Sequence, residues 1–204
     1  MVRVMRKELD EALCKKYPKI FRDRNGNMRD TAMCWGFECD DGWYNILDKA
    51  CSLIQWHIDQ TRSLRASALR YNRALHRAVR GDVRPLQMHF TYGWFENVTE
   101  PSIYGIQEAR KVLEDIEPQC KRVPEACPQV VATQIKEKFG TLRFYYFGGD
   151  DYCSGVESMA ESMSAVTCEV CGSSGKIRNG KWIRTLCDEH AKETRYEDFG
   201  LTHG

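Results

Sequence analysis

The chain has 204 residues, 42% of them hydrophobic, and carries 30 basic against 29 acidic side chains for a formal net charge of +1. That apolar fraction suffices for a buried core and excludes wholesale disorder, while the length admits one generous domain or a core with a small appendage. No stretch approaches the roughly 18 consecutive apolar residues of a membrane span.

The first 21 residues, MVRVMRKELDEALCKKYPKIF, mix both charge signs early and lack the apolar run of a signal peptide, so the expected location is the cytoplasm. Residues 3–16 have helical spacing that Tyr17-Pro18 ends, because the residue before proline is pushed out of the α region. RDRNGNMRD (22–30) is polar and turn-rich. Asp40-Asp41-Gly42 then stands where a helix N-cap belongs, ahead of the strongest helical signal in the chain. From Trp43 through Leu47, Ile54, Ile58, Leu64, Tyr71 and Leu75 to Val79, apolar residues recur at steps of three and four, with room for a break near Thr61. Gly81 and Pro85 close it. Residues 87–102 are aromatic and irregular, 103–117 read as helix, and the three prolines of 117–129 mark a loop. Val130–Phe139 reads as a short helix ended by Gly140, TLRFYYF (141–147) as a strand, and 155–165 as helix.

The most legible motif is CEVCGSSGKIRNGKWIRTLCDEH, 168–190. Zinc prefers four tetrahedral thiolate and imidazole ligands, and a CxxC knuckle turns two sulfurs toward one centre. Asn179-Gly180 between two short β-prone runs predicts a hairpin, and Cys187 with His190 falls where a helix begins. Knuckle, hairpin and helix-borne pair are the order of a treble-clef-like zinc finger. Cys168, Cys171, Cys187 and His190 are therefore the expected ligands of a structural Zn2+, since four protein ligands leave no position for a catalytic water.

A second feature is an arginine stripe. Residues 59–84 hold seven arginines against Asp59 and Asp82, and Arg70, Arg73, Arg77, Arg80 and Arg84 alternate in steps of three and four along one helix face. Arginine's planar fork suits bidentate contact with phosphate or carboxylate. The plain alternative is a solvated helix face. Trp35, Trp43 and Trp94 are the expected aromatic walls of such a site.

Glu38, Asp40 and Asp41 form one carboxylate cluster and Asp150 with Asp151 another. Brought together they would hold magnesium for a nuclease or nucleotide-processing reaction, although each also fits a cap or turn. Cys34, Cys39, Cys51 and His57 offer donors for a second zinc but no knuckle spacing. Lys176, Arg178, Lys181 and Arg184 decorate the hairpin and would suit a nucleic-acid-binding regulator, but the acidic helix after His190 would be repelled by phosphate. Arg143 and Tyr145 share a strand face that either stacks on a base or packs plainly.

CWGFECDDGWYNILDKACSLIQ (34–55), VPEACPQVVATQIKEKFGTLRFYYFGGDD (123–151), SMAESMSAVTCEVCGSSGK and WIRTLCDEH together resemble a group of tailed-phage and prophage proteins over roughly half the chain. The resemblance implies a setting in the host-cell cytoplasm, and by analogy a small protein that binds a host molecule, as an inhibitor of host defence for example.

The expected fold is α+β: a mainly helical body over 1–164 with a small sheet around 141–147, and a zinc-finger module over 165–204 packed on it. The leading functional expectation is a non-enzymatic binding protein for an anionic ligand, a nucleotide, nucleic acid or an acidic host protein. The arginine face would make the contact.

Overall fold

The computed structural model describes residues 4–91, 98–115, 119–180 and 182–198, without the side chains of 194–198. Its regular elements are α1 (Lys7–Lys16), β1 (Phe37–Glu38), α2 (Tyr44–Val79), α3 (Arg84–Thr91), α4 (Ile103–Glu114), β2 (Val131–Lys138), β3 (Thr141–Phe147), α5 (Asp151–Ser164), β4 (Lys176–Arg178), β5 (Arg184–Leu186) and α6 (Asp188–Asp198). No described helix is long and apolar enough to cross a membrane.

The chain forms two compact units, 1–58 with 127–204 and 59–126. In the first, β1, β2 and β3 make a three-stranded sheet in which β1 runs parallel to β2 and β2 antiparallel to β3. Phe37 pairs with Ile135 and Ile135 with Phe144, which lines three apolar side chains across the sheet. Their face meets Leu13, Ile20, Met33, Trp43, Leu47, Ile54 and Cys153 in one buried core. Along β3, Leu142 and Phe144 are buried while Tyr145 and Phe147 stay exposed, the alternation a half-covered strand requires.

The helix expected over Val130–Phe139 is strand β2 instead. Its Gln, Lys and Glu residues favour helix locally, but pairing with β3 on one side and β1 on the other outweighs that preference. Gly140 does not end a helix. Phe139 (φ 54°) and Gly140 (φ 80°) are the two left-handed residues of a tight hairpin loop, and Gly140 supplies that conformation without strain.

Helix α2 runs through Thr61 as one unbroken helix. Three other boundaries differ modestly: α1 begins at Lys7, α3 occupies the start of the segment expected to be irregular, and α5 begins at Asp151, four residues before the expected start.

The second unit has its own small core of Tyr71, Ala74, Leu75, Ala78, Leu86 and Ala109, with α3 packed on α4. The approach is close: a Cβ on Gly105 would collide with the Gln87 carbonyl and the Thr91 hydroxyl. Pro85 sits in the first turn of α3, where its missing N–H costs nothing.

A candidate metal centre and an arginine-lined groove

The C-terminal module is built as its sequence predicts: a knuckle at 168–171, the antiparallel β4–β5 hairpin, and α6 starting at Asp188. It gathers Cys168, Cys171, Cys187 and His190 so that their donor atoms all lie within 4.8 Å of one another. Cys168 Sγ lies 3.6 Å from His190 Nδ1, and Cys171 Sγ lies 3.9 Å from Cys187 Sγ. A tetrahedron with metal–sulfur bonds of about 2.3 Å and a metal–nitrogen bond of about 2.05 Å has edges of roughly 3.6 and 3.8 Å. The donors are thus consistent with a metal site, and the Cys187 Sγ to His190 Nδ1 distance of 3.1 Å would open slightly around an ion. Cys168 is buried, Cys187 and His190 are half-buried, and Cys171 is exposed. Hydrogen bonds from Ser173, its hydroxyl first and then its backbone N–H, lower the Cys171 thiol to about 6, toward the thiolate a metal needs. On the far side of the ring, His190 Nε2 lies 3.8 Å from the Glu193 carboxylate, beyond direct hydrogen-bond reach.

The acidic turn at 38–43 turns out to be the seat of this module. Asp40 accepts a hydrogen bond from Arg184 at 2.7 Å, and Arg184 also bonds Glu169 at 3.1 Å. Both Arg184 and Glu169 are buried. Asp41 is taken by the Arg6 backbone N–H at 2.8 Å and by the Arg6 guanidinium, and Glu38 accepts from Gln134 at 2.9 Å. The Gly42 N–H donates to the Glu169 carbonyl at 2.7 Å. Trp43, expected as a ligand wall, is fully buried and donates its indole N–H to the Thr167 carbonyl at 2.9 Å. From the other side, Thr185 Oγ1 donates to the Gly140 carbonyl at 2.6 Å.

Gly42 has no room for a side chain. A Cβ there would lie 2.5 Å from the Glu169 carbonyl oxygen and the Gly172 nitrogen, and closer still to the Cys168 carbonyl oxygen. These are backbone atoms of the knuckle that cannot swing aside. Gly42→Ala is therefore expected to cost about 3 kcal/mol and to weaken metal retention, read by chemical denaturation and metal content.

The carboxylates of the sequence-based catalytic site do not converge. Among the described residues, no three of Asp40, Asp41, Asp150 and Asp151 share a cation-sized cluster. Asp150 caps α5 by accepting from the Cys153 N–H at 3.3 Å, and Asp151 lies exposed in the first turn of that helix. Cys39 and Cys51 are buried in the core, where desolvation raises both thiols well above the ordinary range, and they do not cluster with His57. His57 joins Cys127 and Asp150 instead.

The hairpin's basic residues are also engaged. Arg178 and Lys176 pair with Asp188, and Arg184 is buried in the seat; Lys181 lies outside the described residues. Arg143 bonds Glu161 at 3.3 Å, while Lys136 covers the Tyr145 ring at 5.5 Å.

The arginine stripe is different. In the second unit, Arg70, Arg73 and Arg77 line a groove of about 710 Å³ together with Ser67 and Ala74 of α2 and Pro85, Met88 and His89 of α3. Arg77 bonds Asp82 at 2.9 Å, but Arg70, Arg73 and Arg80 are exposed and have no ion-pair partner among the described residues. Arg80 does not line the groove. Other members of the stripe are committed: Arg65 to the Pro124 carbonyl at 2.6 Å and Arg84 to Glu100 at 3.0 Å.

His89 reports the local field. Its imidazole is held below the ordinary histidine value, first by burial and then by the positive charges of Lys121 and Arg70. Lys121 is fixed by two bonds with Asn72 and sits 4.4 Å above the Tyr71 ring, against which His89 packs edge-on at 5.3 Å. Sequence reasoning found the arginines but missed Met88 and His89, because 87–102 carries no periodicity long enough to announce a helix. Trp35 is exposed in the first unit, and Trp94 lies outside the described residues.

Comparison with protein-family models, curated proteins and solved structures gives no match. The features above define an α+β protein with a Cys3His cluster in one unit and an arginine-lined groove in the other.

Proposed function

We propose that the protein is a non-enzymatic binding protein that takes a phosphate-bearing small molecule, of the nucleotide class, in the groove between α2 and α3. The observation that carries this reading is the pair of exposed guanidinium groups, Arg70 and Arg73, that line a groove of about 710 Å³ and have no ion-pair partner among the described residues. That volume falls within the range of small-molecule sites, about 300–1,000 Å³. The groove is also two-sided in chemistry. Arginines on α2 suit phosphate oxygens, and Pro85 and Met88 on α3 suit the flat apolar face of a base.

The C-terminal cluster has a different role in this reading. It holds a structural zinc ion, for which three thiolates and one imidazole are the fitting donor set, and zinc staples the module to the acidic turn. A nucleic-acid role for the module is disfavoured by the internal pairing of Lys176, Arg178 and Arg184 and by Asp188, Glu189 and Glu193 on α6.

The test is calorimetric titration of the full chain with adenosine triphosphate and with a short single-stranded DNA. Each charge-assisted contact contributes about 1.5–3 kcal/mol. The double variant Arg70→Glu/Arg73→Glu should therefore lose triphosphate affinity by about 100-fold or more. Its melting temperature should stay unchanged, because both side chains are exposed. Unaltered binding in the double variant would overturn the proposal, and tighter binding of the DNA strand would reassign the groove to nucleic acid.

A further inference from the structure

A second cluster of unlike donors lies in the first unit. His57 comes from α2, Cys127 from the coil before β2, and Asp150 from the N-cap position just before α5. His57 and Asp150 are 93 positions apart in the chain. Yet one donor atom from each of the three lies within 4.8 Å of the others. The His57 ring is stacked on Tyr152, with centroids 4.2 Å apart and planes 20° from parallel, which fixes the direction of its nitrogens. Nε2 lies 2.8 Å from Asp150 Oδ2, while the other carboxylate oxygen, Oδ1, accepts from the Cys153 N–H. One oxygen thus holds the helix and the other faces the cluster.

Two known chemistries use such a triad. A cysteine nucleophile requires its thiol hydrogen-bonded to the imidazole base, and here Cys127 Sγ is directed to the Pro128 carbonyl at 3.7 Å while His57 Nε2 faces Asp150. A divalent metal, by contrast, displaces the thiol proton itself, and imidazole, thiolate and carboxylate are each ordinary zinc ligands.

We propose that His57, Cys127 and Asp150 form a second metal site, of the zinc class, with three protein ligands and a fourth position open to water or a substrate atom. The site is separate from the Cys3His cluster in residues and in coordination. Three protein donors are the number found in catalytic zinc sites, where the open position polarises a bound water. Closing around an ion would require the His57–Asp150 pair to part by a few tenths of an ångström from its hydrogen-bonded 2.8 Å. Asp150 would keep its cap throughout, through the oxygen that the metal does not use.

The experiment is metal stoichiometry of the purified full chain after zinc reconstitution and removal of loose ions, with cobalt substitution as an optical probe of thiolate ligation. Wild-type protein should hold two equivalents. Asp150→Asn keeps a good helix cap and should hold one, as should Cys127→Ser, with the thiolate-to-cobalt absorption of the Cys3His cluster retained in both. Cys171→Ser should leave one equivalent whose absorption reflects a single thiolate. One equivalent in wild type, or two that persist in both Asp150→Asn and Cys127→Ser, would overturn the assignment.

Discussion

Cys171→Ser is expected to lower the melting temperature by roughly 8–16 °C, although the side chain it alters is exposed. An exposed cysteine with only a packing role would tolerate serine within about 0.5 kcal/mol. A metal ligand is another matter. An ion bound at about a thousand times its dissociation constant stabilises the fold by about 4 kcal/mol, and each kcal/mol moves the melting point of a chain this long by about 2–4 °C. Chelation of wild type should lower the melting temperature by at least as much, and chelation of the variant should add only what an ion left at His57, Cys127 and Asp150 contributes. Differential scanning calorimetry of the four combinations decides the matter. A melting temperature that ignores both the substitution and the chelator would remove the metal from the account of stability.

The second large effect is expected at Arg184. This guanidinium is buried between Glu169 and Asp40, and the Glu169 carboxyl is already raised by burial despite the arginine beside it. Arg184→Met removes the cation and leaves Glu169 buried without it. Breaking a buried pair in this way costs about 3–5 kcal/mol.

The pH dependence has a definite sign. A carboxyl whose folded value lies above its unfolded value stabilises the fold below the ordinary carboxylate range, and that contribution is lost as pH rises through the folded value. Without Arg184 the Glu169 carboxyl rises further. The deficit of the variant should therefore shrink as pH falls, and Glu169→Gln in the Arg184→Met background should recover part of the loss at neutral pH. Urea denaturation at pH 5 and pH 7.5 reads both. A deficit of equal size at the two pH values would mean that lost packing, not an orphaned carboxylate, is responsible.

How far the sequence carried this reading depends on where the information lies. The Cys3His frame is local: its four donors fall in two short motifs, and Asn179-Gly180 marks the hairpin between them, so the cluster and the hairpin could be read directly. The helix α2 was equally plain, because a stripe at three- and four-residue steps persists over its length. Strand β2 was not legible. Its residues favour helix, and only the tertiary pairing of Phe37 with Ile135, nearly a hundred positions apart in the chain, makes it the middle of a sheet. A sharper signal was present in Phe139-Gly140, a two-residue turn between runs that alternate.

The motif at 38–43 shows the same limit. Its aspartates look like a cap or a cation site in one dimension, and only the fold brings Arg184 and Glu169 against Asp40 and presses the knuckle onto Gly42. His57, Cys127 and Asp150 come from three distant stretches with no spacing rule to connect them. The groove was half legible: the arginine phase along α2 could be counted, whereas Met88 and His89 enter it only because α3 packs back onto the same face.

The most direct test of anion binding in the groove is the titration of His89 followed by NMR, in wild-type protein with and without saturating adenosine triphosphate. Without ligand, burial with Lys121 and Arg70 keeps the imidazole below its ordinary value. A phosphate group seated on Arg70 and Arg73 neutralises the arginine part of that field, so the His89 value should rise, and by linkage triphosphate should bind more tightly as pH falls through the value His89 has in the complex. That upward shift is expected in the wild-type protein and should be absent in Arg70→Glu/Arg73→Glu. A triphosphate that binds while His89 titrates unchanged would contradict it, because the ligand would then lie somewhere other than the arginine-lined groove.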